Sequence, residues 1–207
     1  MNGKIHKASI LLLFGGLILG QAADWPTYQH DYSRSGVAGE SLLTPFSDGW
    51  VHRSKHEPRP AWRGEAKWDG YNKVYDMKSR QVFDYAFHTV IVDGRLYFGS
   101  SADDKVYCLD AATGKQQWVF FTEGPIRLAP TVVKGRLYVG SDDGHAYCLD
   151  AVTGKLIWQT RVGPKDYRIP GNGRIISRWP LRTGIVVVGK NAYCAAGMFP
   201  SEGVFIT

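Results

Sequence analysis

Residues 94–118 read GRLYFGSSADDKVYCLDAATGKQQW, and residues 135–158 read GRLYVGSDDGHAYCLDAVTGKLIW. The two stretches are near copies. The interval is 41 residues from Gly94 to Gly135 and falls to 40 at later positions, because the turn in the middle of the second copy is shorter. A repeat of about 40 residues made of short β segments is typical of one blade of a β-propeller. The sequence therefore predicts an all-β protein built from propeller blades.

Each copy divides into four strands joined by three turns. In the first copy, Asp93-Gly94 follows an apolar segment, and Asp-Gly readily adopts the left-handed dihedral angles of a two-residue hairpin. Ser100–Asp104 is a polar turn, and Ala111–Gly114 ends on a glycine that is free to take a positive φ. Four antiparallel strands in a meander make one blade. The second copy repeats this layout.

A second shared motif closes each copy with the pattern Leu-Asp-Ala-x-Thr-Gly-x-x-x-Trp. This pattern resembles the tryptophan-docking motif of the PQQ-like (pyrroloquinoline quinone) β-propeller repeat family. That family includes quinoprotein alcohol dehydrogenases and a non-enzymatic propeller lipoprotein of the outer-membrane assembly machine. We expect the tryptophan to cover an adjacent blade, and the Asp and Thr side chains can hydrogen-bond the turn backbone. The predicted structural residues are Asp110, Thr113, Gly114, Trp118, Asp150, Thr153, Gly154 and Trp158.

The N-terminus has the layout of a secretory signal peptide. Met1–Lys7 is short and basic, Ala8–Gly20 is apolar, and Ala22 ends a group of small residues. The apolar run is shorter than the ~20 residues that a membrane-spanning helix needs, so an uncleaved anchor is the weaker alternative. The segment from Asp24 to Gly36 resembles the Asp-Trp-Pro segment of exported PQQ-like propellers, which often supplies a strand to the last blade. We expect export to the periplasm or outside the cell, with no membrane span after cleavage.

These features divide the chain into six segments. A third copy of the repeat starts at Gly184, but the sequence given ends before a tryptophan motif is reached. A ring of eight blades needs roughly 320 residues, so we expect a fragment whose remaining blades lie in a longer parent protein. A short product that pairs with another chain is the alternative. The predicted segments are a signal peptide (1–22), an N-terminal segment with a strand and long loops (23–85), two blades (86–124 and 125–161), an inserted loop (162–183) and a truncated blade (184–207).

Charge and cysteine content exclude some classes of function. The net charge is +6, and the basic residues are scattered among acidic ones, so we expect no nucleic-acid partner. The three cysteines include no Cys-x-x-Cys pair, and no histidine is spaced to complete a zinc site. We therefore expect no metal, and we interpret Cys108, Cys148 and Cys194 as small buried packing residues.

One face of the propeller is the candidate binding surface. The turns between second and third strands should share a face with the connections between blades, where the insertion 162–183 also lies. Long loops on a rigid scaffold often carry function. Arginines and a tryptophan could bind a protein partner or a small anionic ligand through forked hydrogen bonds and stacking. The alternative is a solvated loop whose arginines pair with the neighbouring Asp turns. The candidates are Arg127, Arg168, Arg174, Arg178, Trp179 and Arg182.

The preferred function is a non-catalytic binding scaffold. Fold alone supports no more than this, because propellers carry many functions. The alternative is part of a quinoprotein dehydrogenase, in which PQQ and Ca²⁺ perform the oxidation. The family pattern for that enzyme includes a vicinal Cys-Cys pair, which this sequence lacks, and no calcium-binding set is recognisable. We therefore predict no cofactor and no catalytic residue. A sugar- or polymer-binding module, suggested by surface aromatic residues, is the weakest alternative.

Overall fold

The computed structural model describes residues 23–41, 44–61, 68–69, 74–75, 85–171, 173–198 and 200–207. The predicted signal peptide lies outside these residues. Within them, no helix is long and apolar enough to span a membrane. The strands are β1 (Trp68–Asp69), β2 (Val74–Tyr75), β3 (Thr89–Val92), β4 (Arg95–Gly99), β5 (Lys105–Asp110), β6 (Gln116–Phe121), β7 (Thr131–Val133), β8 (Arg136–Gly140), β9 (His145–Asp150), β10 (Leu156–Arg161), β11 (Arg168–Gly171), β12 (Arg174–Ser177), β13 (Val186–Val188), β14 (Asn191–Tyr193), β15 (Ala195–Ala196) and β16 (Phe205–Ile206), with a 3₁₀ turn at Pro200–Glu202.

Two four-stranded antiparallel sheets form the centre of the structure. Strands β3 to β6 make the first sheet in chain order, and β7 to β10 make the second. The first hairpin of each turns through two residues in the left-handed region, with φ of 50° and 68° at Asp93-Gly94 and of 48° and 72° at Lys134-Gly135. These dihedral angles match the right-handed twist of the flanking strands. The predicted all-β fold with four-stranded blades is confirmed.

The first strands of successive sheets lie side by side, since β7 contacts both β3 and β13. The sheets therefore radiate from a common axis, as propeller blades do. Side chains alternate between the two faces of a strand. Along β8, Leu137 and Val139 pack into one apolar core, shared with the first blade, while Tyr138 packs into another, shared with the chain after residue 162. The second blade is thus covered on both faces. Within the described residues the sheets do not close into a ring.

The segment 162–183, predicted as an inserted loop, contains a hairpin of β11 and β12. The chain then forms β13 and β14, which pair with each other, while β15 pairs with β16. Cys194 and Thr207 exchange two backbone hydrogen bonds of 3.1 Å, so the second pairing continues beyond β15 and β16. The last unit therefore follows the same meander as the two complete blades.

The N-terminal segment crosses the first strands of the blades. Trp25 forms a bridge with Ile91 of β3, and the amide of Val132 in β7 donates to the carbonyl of Pro26 over 2.8 Å. The hydroxyls of Thr27 and Thr131 lie 2.9 Å apart and are buried. The segment thus contacts the first strands of both complete blades.

The tryptophan motif joins successive blades. Trp118 of β6 donates its indole N–H to the carbonyl of Ala151, 3.2 Å away in the last turn of the second blade. Gly154 in that turn has φ of 71°, and a Cβ there would lie 2.6 Å from the Trp118 ring. The glycine therefore provides both the left-handed backbone and the space for the indole. Trp158 occupies the equivalent place in β10, where its ring lies 6.0 Å from that of Tyr138.

Trp50 makes the same contact with the first blade, which the sequence did not predict. Its indole N–H donates to the carbonyl of Ala111 over 2.9 Å, and its ring lies against Gly114, which has φ of 70°. In both turns the aspartate accepts from the backbone and the hydroxyl of the threonine, at 2.7–2.8 Å, as for Asp110 and Thr113. The segment before residue 51 thus supplies a docking tryptophan of its own.

Candidate functional site: the insertion face

Several loops gather at the end of the blades where the second strand turns into the third. We call this surface the insertion face, and it consists of the turns Ser100–Asp104 and Ser141–Gly144, the segment 162–183 and residues 55–60. Backbone hydrogen bonds hold it together. Ser177 donates to the carbonyl of Asp142 over 2.8 Å, and Leu181 donates to that of Ser141 over 3.0 Å. The insertion is therefore fixed to the second blade.

In each of the two blade turns, one aspartate accepts a hydrogen bond from a tyrosine of the strand that follows. Tyr107 donates its hydroxyl to Asp103 over 2.5 Å, and Tyr147 donates to Asp143 over 2.7 Å. The Asp143 side chain is fully buried and also accepts from the amides of Glu123 and His145. Burial, and next the charge of Asp143, raises the pKa of Tyr147. Both oxygens of Asp143 are thus occupied, whereas Oδ1 of Asp103 is buried without a hydrogen-bond partner.

Asp142 lies between two of the predicted arginines. The Nε atom of Arg127 donates to its Oδ2 over 2.7 Å, while Arg182 donates from Nε and Nη2 to both carboxylate oxygens over 2.8 Å. The Asp142 side chain is 1% exposed and that of Arg127 is 7% exposed. A forked guanidinium–carboxylate pair of this kind fixes geometry as well as charge.

Arg174 joins the hairpin to the first blade. It forms an ion pair with Asp104, and its Nη1 donates to the carbonyl of Ala102 over 3.0 Å. Burial raises the pKa of Asp104, and the Arg174 guanidinium opposes that shift. The contact spans 70 positions of sequence, so it fixes the hairpin across two blades.

The remaining candidates lie at the outer edge of the insertion. Arg168 pairs with Glu123 at 2.6 Å and with Asp166 at 3.1 Å. Arg178 pairs with Glu202, and its guanidinium lies 5.1 Å from the centre of the Tyr167 ring. These contacts hold partly exposed side chains in place.

Trp179 is buried in the second apolar core. Its indole N–H donates to the carbonyl of Glu202 over 2.7 Å, and its ring meets that of Phe205 edge to face at 5.9 Å. Of the six predicted residues, the structure thus brings only Arg127 and Arg182 onto one group. The other three arginines each have separate acidic partners, and Trp179 packs inward.

The insertion face also borders a cleft of about 790 Å³ that the sequence did not single out. Residues 52–71 are rich in proline and arginine. In the structure, the first part of this stretch lies against the first blade, because the amide of Arg59 donates to the Ser101 hydroxyl over 2.9 Å. The lining residues are Lys55, His56, Glu57, Pro58, Arg59, Pro60, Tyr85 and Ala102.

The residues present do not fit the quinone site that the resemblance suggests. The dehydrogenase pattern has two adjacent cysteines, whereas Cys108, Cys148 and Cys194 are separate in sequence, buried and unpaired in the described structure. Burial raises the pKa of Cys108 to about 12, so its thiol is protonated at neutral pH. Within the described residues, no three His, Cys, Asp or Glu side chains form a group able to hold a metal.

Comparisons with known proteins agree with this architecture. A family model described as outer membrane protein assembly factor BamB matches residues 51–206. Quinohemoprotein alcohol dehydrogenase from Comamonas testosteroni is 19% identical with a TM-score of 0.50, covering 84% of this chain and 23% of that one. BamB from Moraxella catarrhalis is 18% identical with a TM-score of 0.42, covering 65% of this chain and 41% of that one. No curated protein matches significantly.

The dehydrogenase shares the fold. The chain spans less than half the length of either solved structure. The blades, the docking tryptophans and the family match define a protein of the PQQ-like β-propeller class. Within that class, the chain belongs to the family described as outer membrane protein assembly factor BamB. The predicted resemblance to the PQQ-like repeat family is confirmed.

Proposed function

We propose that this chain is part of an exported β-propeller scaffold that binds a protein partner through the insertion face and performs no catalysis. The observation that carries the proposal is the set of ion pairs between insertion and blades. Each arginine predicted for this face has an acidic partner. A surface held in this way is preorganised, so little conformational entropy is lost when a partner binds.

The side chains on this face are of the kinds found at protein interfaces. Arg178 with Tyr167 presents a planar cation on an aromatic ring. Arginine and tyrosine are enriched at protein interfaces, where they contribute most of the binding energy. The family description also names an assembly factor. A small anionic ligand is the second candidate for the same charges.

Export is part of the proposal. It rests on the basic, apolar and small-residue layout of residues 1–22. Expression of the chain with its own N-terminus, followed by mass spectrometry of the periplasmic fraction, should give a product that begins at or near residue 23. Full-length protein that stays in the membrane fraction would contradict export.

The binding face can be tested by site-specific photocrosslinking. A benzophenone amino acid is placed at Tyr167, which lies on the insertion face and is 50% exposed, or at Val152, which is 53% exposed in the turn at the opposite end of the second blade. We expect a discrete crosslinked partner in cell-envelope extract from position 167 and none from position 152. Equal crosslinking from both positions, or none from 167, would contradict the proposal.

A further inference from the structure

Arg59 differs from the other arginines of the insertion face. Arg127, Arg174 and Arg182 are each bound to a carboxylate. Within the described residues, the Arg59 guanidinium has no acidic partner, and its Nε is buried without any hydrogen-bond acceptor. Burying an N–H donor without an acceptor is unfavourable, so native proteins rarely leave one in this state.

The position of Arg59 is fixed on several sides. Its amide donates to the Ser101 hydroxyl over 2.9 Å, and its carbonyl accepts from Nη1 of Arg127 over 3.0 Å. Its guanidinium lies against the hairpin turn, because a Cβ at Gly173 would be 3.2 Å from Nη2. A donor held in this way is preorganised for an incoming acceptor.

The cleft beside Arg59 has the size and composition of a ligand site. Its volume of about 790 Å³ is within the range of small-ligand pockets. Pro58, Pro60 and Tyr85 give it apolar surface, and Lys55 adds a second cation. Among the described lining, Lys55 and Arg59 are basic and Glu57 is acidic.

We expect a carboxylate as the bound group, because carboxylates already bind the other arginines of this face. The flat fork of a guanidinium matches a carboxylate in two parallel hydrogen bonds. Proline and tyrosine provide a surface for the residues that flank an acidic side chain.

We propose that this cleft is a carboxylate subsite for an acidic peptide segment, with Arg59 as the forked donor and Lys55 as the second cation. The inference rests on the proposed function, since it specifies the chemistry of the partner at the same face. The subsite requires only one glutamate or aspartate side chain in the bound peptide segment.

Fluorescence anisotropy with the whole chain tests the subsite. The probe is the capped peptide Gly-Ala-Glu-Tyr-Gly with an uncharged fluorophore, and the matched probe has Gln in place of Glu. The variants are R59Q, which keeps both backbone contacts of residue 59, R59K, and the control K190Q. Lys190 is an exposed cation in the hairpin turn at the opposite end of the blades. Circular dichroism of each variant serves as the control for folding.

We expect the Glu peptide to bind wild type and K190Q equally, and the Gln peptide to bind at least about tenfold more weakly. R59Q should lose about tenfold in affinity for the Glu peptide, and R59K should recover part of it because it keeps the charge but not the fork. Inorganic phosphate at equal concentration should compete more weakly than acetate. Equal binding of the two peptides, equal binding by wild type and R59Q, or no binding by wild type would overturn the subsite.

The two proposals fail in different ways. If position 167 crosslinks a partner but Glu and Gln peptides do not differ, the binding face stands and the carboxylate subsite is wrong. If the Glu peptide binds through Arg59 but no partner crosslinks at 167, the subsite stands and the protein-scaffold proposal is wrong.

Discussion

The two ends of the second blade are ordered by different means. At one end, hydrogen bonds among Asp150, Thr153 and Gly154 join residues three or four positions apart, and Trp118 packs onto this turn from 36 residues away. At the other end, Asp142 is bound by Arg127 and Arg182, the latter 40 positions away in the insertion. The first end depends on a local motif and shape, whereas the second depends on charges brought together by the fold. The predictions below test this difference.

The largest effect is expected at the charge-dependent end. Asp142→Asn removes the carboxylate that two guanidiniums share, and the Asp142 and Arg127 side chains are 1% and 7% exposed. Removing one partner of a buried ion pair costs about 3–5 kcal/mol, because the remaining charge stays buried. Urea unfolding followed by tryptophan fluorescence measures the loss. Asp166→Asn is the control, and it should change stability little because its pairs with Arg161 and Arg168 are exposed to solvent. Equal losses in both variants would show that the ion pairs of Asp142 do not stabilise the fold.

The next effect is expected at the inter-blade tryptophan. Trp118→Ala should lower the free energy of unfolding by about 3 kcal/mol, at the low end for a large aromatic residue because the indole is only partly buried. Trp118→Phe keeps an aromatic ring but loses the hydrogen bond to Ala151, so it should cost about 1 kcal/mol from that bond, besides any loss of packing. The same urea titration compares the two variants. A loss below about 1 kcal/mol for the alanine variant would show that Trp118 does not join the blades.

How much of this could be predicted differs between the two ends. The sequence predicted the strands, the two-residue hairpins and the tryptophan motif, because their signals lie within a few residues or recur at a constant period. It did not predict that Trp50 docks on the first blade. Trp50 precedes Gly114 by 64 residues, whereas Trp118 precedes Gly154 by 36, so the period is broken by the intervening segment.

The candidate site was less predictable. The arginines of segment 162–183 were evident from the sequence, but their partners were not, since the acceptors of Arg174 and Arg178 lie in the first blade and near the C-terminus. One alternative drawn from the sequence was that these arginines pair with the neighbouring Asp turns. The contacts of Arg174 with Asp104 and of Arg182 with Asp142 match that alternative. The sequence around Arg59 did not indicate a binding site, because the residues that surround Arg59 are distant in sequence: Ser101, Arg127 and the hairpin turn.

A smaller effect separates two glycines with the same backbone. Gly135 and Gly154 have φ of 72° and 71°, but a Cβ at Gly135 meets open space, while one at Gly154 would lie 2.6 Å from Trp118. Gly135→Ala should cost about 1–2 kcal/mol for a left-handed alanine. Gly154→Ala should cost about 1–2 kcal/mol more, because the indole must move. Thermal unfolding and urea titration of both variants measure the difference. Equal costs would show that the ring does not occupy the turn.

The smallest effect concerns acid stability. Hydrogen bonds from Thr113 and Thr153 lower the pKa of Asp110 and of Asp150. A carboxylate with a lowered pKa in the folded state stabilises that state above its unfolded pKa of about 4, and this contribution is lost as the pH falls through the folded pKa. The double variant T113V/T153V should therefore lose less stability than wild type between pH 5 and pH 3. Thr160→Val, at an exposed strand position, is the control. A steeper loss in the double variant would reverse the predicted sign.

The contact between blades is tested most directly by a double-mutant cycle of Trp118 and Gly154. If the indole fills the turn, the excess cost of Gly154→Ala over Gly135→Ala disappears in the W118A background, and the free energies of unfolding are non-additive by about 1–2 kcal/mol. Additivity within experimental error would contradict the docking of one blade on the next.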